Sequence, residues 1–226
     1  MIVKVCGMRD AVNIRAIETA GADMTGLVFC KESPRYVGMI NSRSGLIPDF
    51  PDKSLADGQR AGECKPFVGV FADDMPQNII TRIYNYGLDW VQLNGEESAV
   101  MIDNLRRTVD PDIRSGLKVI KRVVIGCRDD FAMCAEYEGH ADMFLFDISG
   151  NGNATDGCRT DWGLLAAYTG ATPFLVGGDI GPEDAASLRE IVHPMFAGVD
   201  IDARFETAPA MKDVALVEKF IASLKR

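Results

Sequence analysis

One joint recurs three times along the chain and limits what it can fold into. Gly21-Ala22-Asp23-Met24, Gly87-Leu88-Asp89-Trp90 and Gly139-His140-Ala141-Asp142-Met143 each set a glycine just ahead of an aspartate that opens an apolar run. A glycine there supplies the left-handed residue that ends a helix, and the short apolar run after it reads as a strand buried on both faces. Eight such runs are present, over 2–7, 24–29, 66–72, 89–94, 117–124, 141–148, 172–177 and 195–201. Between them lie segments of helical spacing over 10–20, 76–86, 98–109, 129–137, 162–168, 182–192 and 211–224. Repetition of one joint predicts a single domain across residues 1–226, built from parallel βαβ units. Eight units favour a closed (β/α)₈ barrel, with an open doubly wound sheet as the alternative. No Gly-x-Gly-x-x-Gly follows the first strand, which weakens a dinucleotide-binding reading of that sheet.

Composition narrows the function classes. Hydrophobic residues make up 47% of the 226 and charged residues 25%, enough apolar material for a sizeable core. Twenty-four Lys and Arg against 33 Asp and Glu give a net charge of −9, the wrong sign for a nucleic-acid partner. An anionic substrate must then be held by a local cluster of cations or backbone N–H groups working against the global field. No apolar run approaches the roughly 18 residues of a membrane span, and the run at Met1–Gly7 is too short and wrongly flanked for a secretion signal, so the expected location is the cytoplasm. The six cysteines are irregularly spaced with no Cys-x-x-Cys, so they read as free thiols and no metal site is expected.

In a barrel of this kind the reactive groups belong at the C-terminal ends of the strands. Cys6 ends the first run and Asp147 the sixth, on different sides of one mouth. Taken alone, a cysteine such as Cys6 is more often a small buried hydrophobe than a catalytic group. Asp147, after the apolar Met143-Phe144-Leu145-Phe146, needs solvation or a partner at the mouth. Both histidines, His140 and His193, fall at helix-to-strand joints on the opposite face, which argues against a Cys-His or Ser-His-Asp mechanism. Arg35, in Ser33-Pro34-Arg35-Tyr36-Val37 after the second run, is suited either to capture of a carboxylate or to a plain surface turn. Gly177-Gly178 leads through Asp179 to Gly181-Pro182, which reads as a phosphate cradle or an ordinary strand-to-helix turn. The segment 149–160, with Gly150, Gly152 and Gly157, has the composition of a mobile lid or of a plain surface loop.

Taken together and in order, several pieces resemble the phosphoribosylanthranilate isomerases, tryptophan-pathway enzymes on a (β/α)₈ barrel. They are Lys4-Val5-Cys6-Gly7-Met8, Ser33-Pro34-Arg35-Tyr36-Val37, Val68-Gly69-Val70-Phe71, Val91-Gln92-Leu93-Asn94-Gly95 and Leu145-Phe146-Asp147. Asp161-Trp162, Gly177-Gly178, Gly198-Val199-Asp200, Phe205-Glu206 and Lys212-Asp213 complete the set, which spans nearly the whole chain. The resemblance implies an Amadori rearrangement in which Asp147 protonates the furanose ring oxygen and Cys6, as thiolate, removes the proton from sugar C2. It implies that Arg35 holds the anthranilate carboxylate, and that Gly177, Gly178 and Asp179 together with Asp202, Ala203 and Arg204 surround the phosphate. No cofactor is implied; the partner is a phosphorylated small molecule, and the assembly a monomer or homodimer.

The chain departs from the family pattern at four places: Asn94 stands where His is usual, Ile148 where Thr is common, Asp202-Ala203 where members show Asn-Ser or Ser-Ser, and Ala210 where Gly is common. A carboxylate about 6 Å from a phosphate charge, at an effective dielectric of about 20, opposes binding by roughly 3 kcal/mol before screening. Asp179 and Asp202 therefore also fit a second reading, a diverged barrel with an altered phosphate site and a changed substrate or a non-catalytic binding role.

Overall fold

A computed structural model describes residues 1–42, 45–48, 65–148 and 161–225, so the candidate lid 149–160, Cys64 and Cys158 lie outside the described residues. Eight strands close into a parallel barrel: β1 (Ile2–Met8), β2 (Met24–Val28), β3 (Phe67–Phe71), β4 (Trp90–Leu93), β5 (Lys118–Val124), β6 (Met143–Asp147), β7 (Phe174–Gly177) and β8 (Phe196–Ile201). Each pairs with its sequence neighbours, and β8 returns to β1 through the register Ile2 with Gly198 to Val5 with Ile201.

The recurring joint has a structural job. Asp23, just ahead of β2, donates its backbone N–H to the Val3 carbonyl at 2.8 Å while its carboxylate accepts the Val3 N–H at 2.8 Å. Asp89 does the same for Phe67 of β3 (3.0 and 2.9 Å), and Asp142 for Val119 of β5 (2.9 and 2.7 Å). Each aspartate so closes the N-terminal end of the preceding strand, where the ladder would otherwise leave a buried donor unpaired. The fourth pair uses backbone alone, Phe174 N–H donating to the Met195 carbonyl at 2.9 Å.

The helices start and stop for local reasons. α1 (Ala11–Thr19) is capped by Asp10, whose carboxylate accepts the Asn13 N–H at 2.8 Å. Pro76 opens α2 (Pro76–Tyr86), and Gly87, at φ 58°, closes it. Ser98 caps α3 (Ala99–Val109), and Asp213 caps α6 (Val214–Leu224). Three expected helices differ. Residues 129–137 form a 3₁₀ turn over Arg128–Met133 before the single turn α4 (Cys134–Tyr137), because the Asp130 carboxylate takes the N–H groups of both Gly126 and Cys127 at 2.7 Å and tightens the entry. Residues 162–168 are 3₁₀ throughout Trp162–Ala167. Over 182–192 the helical part shrinks to a 3₁₀ turn, Pro182–Asp184, and α5 (Ala185–Arg189), with Asp184 folded back onto the Gly181 N–H at 2.7 Å. Met211–Lys212 is not helical but pairs antiparallel with Glu206–Ala208, and a second antiparallel pair, Met39–Ser42 with Gly45–Pro48, was not expected from the pattern.

Outward-facing strand residues such as Val3, Val91, Phe144 and Val199 pack under the helices in one large core. Inside the barrel the lower layer is apolar, with Met24, Val68, Ile120, Leu145 and Leu175. Above it the filling turns polar, and there the site begins. No helix among the described residues is long and apolar enough to cross a membrane.

Candidate active site

Cys6 points into the barrel from β1, 6% exposed, two residues above Lys4 on the same face. Lys4 is fully buried and ion-pairs with Asp200 of β8 at 2.7 Å, close enough to Cys6 for the two groups to influence each other's ionisation. Space for the thiol comes from β2: a Cβ on Gly26 would lie 2.8 Å from Cys6 Sγ and 3.0 Å from its Cα. Burial pushes the Cys6 thiol up to about 12; Lys4 pulls the other way, but Asp200 and Asp202 add to the rise. The pull of Lys4 is outweighed, so burial favours the thiol in the resting site, whereas the resemblance implies that Cys6 acts as a thiolate.

Asp147 ends β6 with its side chain 14% exposed. Arg122 of β5 brings both Nε, at 2.8 Å, and Nη2 onto Asp147 Oδ2. Gly178, at φ 113°, lets the turn after β7 pass close over this pair, since a Cβ there would sit 2.9 Å from the Ile148 carbonyl oxygen and 3.1 Å from Asp147 Oδ1.

Cys6 and Asp147 open into one cavity of about 320 Å³, walled further by Arg122, Gln92, Asn94, Asp200 and Asp202. Asn94, at the position where His is usual, accepts a hydrogen bond from Gln92 Nε2 at 2.9 Å. Two buried acceptors of this wall, Gln92 Oε1 and Asp200 Oδ1, have no partner among the described residues, which marks them for a ligand's hydroxyl or amine. A larger hollow of about 540 Å³, on the barrel flank around Phe131, Cys134 and Tyr168, contains none of the strand-end groups. Geometry and chemistry both favour the smaller one. Among the described residues no group of three or more His, Cys, Asp or Glu side chains is arranged to hold a metal ion.

Arg35 stands differently from its expected role. Its guanidinium is bidentate to Glu206, Nε to Oε1 at 2.8 Å and Nη2 to Oε2 at 2.7 Å, and Nε also lies 3.0 Å from Asp202. The fully buried Lys212 joins both acids, at 2.7 Å to Asp202 and 2.6 Å to Glu206. Burial alone would raise Glu206, but Arg35 and Lys212 hold it below the ordinary carboxylate range. The four form a neutral cluster at the edge of the cavity, and Gly7, at φ 71°, is required because a Cβ would collide with Arg35 and Asp202. Asp202 is thus no free negative charge at a phosphate loop.

Arg204 does not turn inward. It pairs with Glu183, donates to the Asp179 carbonyl at 3.3 Å and reaches the Asp179 carboxylate at 3.7 Å, while Asp179 itself is 79% exposed. Ala203 opens the 3₁₀ turn Ala203–Phe205 beside it. Gly177 and Gly178 end β7 above Leu145 and Asp147. Sequence reasoning missed Arg122, Gln92, Lys4 and Asp200 as site groups. Arg122 had a readable signal: it lies two residues after the apolar Ile120 and so shares its strand face, which points into the barrel.

Residues 3–223 match the family described as N-(5'phosphoribosyl)anthranilate (PRA) isomerase. A Phocaeicola vulgatus protein named N-(5'-phosphoribosyl)anthranilate isomerase is 38% identical over 226 residues, covering 100% of this chain and 98% of that one. A Parabacteroides distasonis protein of the same name is 34% identical over 224 residues, covering 99% and 93%. Among solved structures, the phosphoribosyl anthranilate isomerase of Thermotoga maritima superposes with a TM-score of 0.74 at 25% identity, covering 100% and 99%. One in complex with reduced 1-(o-carboxyphenylamino)-1-deoxyribulose 5-phosphate does so with 0.74 at 23%, again over 100% and 99%. With the family pattern running through the whole barrel, the chain belongs to the N-(5'-phosphoribosyl)anthranilate isomerase family.

Proposed function

We propose that this protein rearranges N-(5-phosphoribosyl)anthranilate to 1-(2-carboxyphenylamino)-1-deoxyribulose 5-phosphate in tryptophan biosynthesis, with Asp147 as general acid and Cys6 as general base. The observation that carries the assignment of residues is that these two, from β1 and β6, open into one cavity of about 320 Å³. A proton from the Asp147 carboxyl goes to the ring oxygen as the C1–O bond breaks, leaving a Schiff base between C1 and the anthranilate nitrogen. The Cys6 thiolate then removes the C2 proton, and the resulting enolamine tautomerises to the ketone.

Burial holds the proton on Cys6 in the resting site, while Asp147 lies against Arg122. Reaching the active arrangement requires Cys6 to release that proton. Gly177, Gly178 and the turn 202–204 are the proposed rest for the phosphate, a role made easier by Asp202 being balanced by Arg35 and Lys212 and by Asp179 facing solvent. The enzyme is proposed to work in the cytoplasm as a monomer or homodimer.

The test is fluorescence-monitored turnover of phosphoribosyl anthranilate generated in situ, with Cys6→Ala as the blank. Loss of anthranilate-type fluorescence that depends on Cys6 supports the assignment. A folded protein with no turnover at high substrate overturns it in favour of a diverged barrel.

A further inference from the structure

Behind the cavity wall, on the helix side of the sheet, lies an ion pair that the chemistry does not touch. Ile120 and Arg122 of β5 face into the barrel, and Lys121 between them faces out, in line with Val119 and Val123 of the outer core. Its ammonium lies 3.0 Å from Glu97 Oε2 and 5.2 Å from the ring centroid of Tyr137 in α4. The Lys121 side chain is 4% exposed and that of Glu97 3%. A pair buried so deeply adds little net stability over apolar side chains of the same volume, so its effect is to be sought in what it holds.

Glu97 belongs to the loop that follows β4, and each residue of 94–97 is held. The Asn94 N–H donates to the Phe71 carbonyl at 2.8 Å. Lys121 donates to the Gly95 carbonyl, and the Glu96 N–H donates to Asp73 Oδ1 at 2.7 Å. Glu97 Oε1 accepts the Asp73 N–H at 2.8 Å while Oε2 takes Lys121. Asp73 stands at φ 49°, and a Cβ on Gly95 would sit 2.4 Å from its carboxylate, so the loops after β3 and β4 are pressed together. Of the four residues, Asn94 is the one that lines the cavity. Asp73 is exposed and Gly95 half-buried, so water can replace the backbone contacts of the ion pair if both side chains are removed.

We propose that Lys121 and Glu97 are positioning residues: through the backbone of 94–97 they hold Asn94 at its place in the cavity wall, and turnover depends on that placement. The inference rests on the isomerase reading and deepens it. Asn94 follows β4, which stands opposite β8 across the ring of eight strands, so it bounds the side of the cavity that faces Asp200. A shift of about 1 Å in such a wall is enough to cost about a hundredfold in rate, even when its cause lies outside the cavity.

The experiment measures kcat, KM and thermal unfolding on four variants of the full chain. An apolar double variant, Lys121→Met with Glu97→Leu, removes both charges and releases the loop. A neutral double variant, Lys121→Met with Glu97→Gln, keeps an acceptor for the Asp73 N–H. The third is Asn94→Ala, and the fourth combines Asn94→Ala with the apolar double variant. The apolar double variant is expected to melt near the wild type while its kcat/KM falls by about tenfold to a hundredfold. The neutral one should recover part of that loss. Asn94→Ala should lose a similar factor and the combination no more than Asn94→Ala alone, because changes that act through one group are not additive. Wild-type kcat/KM in the apolar double variant or in Asn94→Ala overturns the inference, as does a combination whose two losses multiply in full. So does a large loss of stability in both double variants, which would make the ion pair a part of the fold alone. In each of these cases wild-type turnover leaves the isomerase reading in place. No turnover by folded wild type overturns that reading, and the inference falls with it.

Discussion

The two ends of this barrel use charge in opposite ways. At the N-terminal end Asp23, Asp89 and Asp142 repeat one device: each closes the ladder of the preceding strand and pairs with a nearby cation, Lys225 at 2.7 Å, Arg114, and Arg106 at 2.5 Å respectively. Those carboxylates serve backbone N–H groups, and the same solution works wherever a helix hands over to a strand. At the C-terminal end no device repeats. Lys4 reaches Asp200, Lys212 reaches Asp202 and Glu206, and Arg122 reaches Asp147, so the charges there answer one another around a hole. A charge that satisfies a strand end is fixed by the fold, whereas a charge paired across a cavity borders the space that a ligand would fill. The first kind holds the barrel together and the second gives it chemistry.

The sharpest break between the ends is at Asp147. Replacing it by Asn keeps the volume and removes the proton donor, so turnover should fall by about a thousandfold, in the range of a lost general acid. The thermal midpoint should stay near that of the wild type, because the cavity mouth solvates what Arg122 no longer pairs with. Parallel measurement of kcat and of thermal unfolding decides the matter: a large drop in stability with turnover retained would place Asp147 with the structural aspartates instead.

The reciprocal experiment belongs at the other end. Asp142→Ala deprives the buried Val119 of its 2.7 Å side-chain acceptor and leaves Arg106 without its 2.5 Å partner. An unpaired buried donor costs about 2 kcal/mol, so the denaturant midpoint should drop accordingly while kcat per folded molecule is unchanged. Unchanged stability would show that water replaces the carboxylate at no cost and that the repeated joint is dispensable.

The same contrast explains what the sequence reveals. Repetition is legible: the glycine-to-aspartate joints and apolar runs announce eight strands and place Asp147 at the end of one, and the barrel closes in that order; Cys6 lies two residues inside β1, which runs on to Met8. Partnerships at the mouth are not, because they join residues far apart in the chain, such as Lys4 with Asp200 and Arg35 with Glu206. Pattern alone could not tell that Arg35 would be bound by two acids, nor that Asp202, which looks like a misplaced negative charge beside a phosphate loop, would meet the buried ammonium of Lys212. The ionisation of Cys6 was equally hidden. The resemblance implies a thiolate, but the depth of the thiol and the two carboxylates beside it push its ionisation the other way. Helix lengths failed where a single carboxylate recruits local N–H groups, as Asp130 and Asp184 do, since such short-range capture competes with α-helical bonding without disturbing the hydrophobic period.

A smaller effect probes how rigidly the mouth is built. Ala210, where the family commonly has glycine, is held at φ 65° with 2% exposure, and its N–H donates to Glu206 Oε1 at 3.1 Å. The strained turn thereby orients the acid that fixes Arg35 and Lys212. A left-handed alanine costs about 1–2 kcal/mol, and glycine's greater freedom in the unfolded chain offsets about 0.4–1 kcal/mol of the relief. Ala210→Gly should therefore stabilise the fold by about half a kcal/mol, read as a small upward shift in the denaturant midpoint, with turnover unchanged. If the variant is instead less stable, the buried methyl contributes more than the strain costs. If turnover falls while stability rises, the turn's stiffness is what holds Glu206, and through it Arg35 and Lys212, in the arrangement that turnover needs.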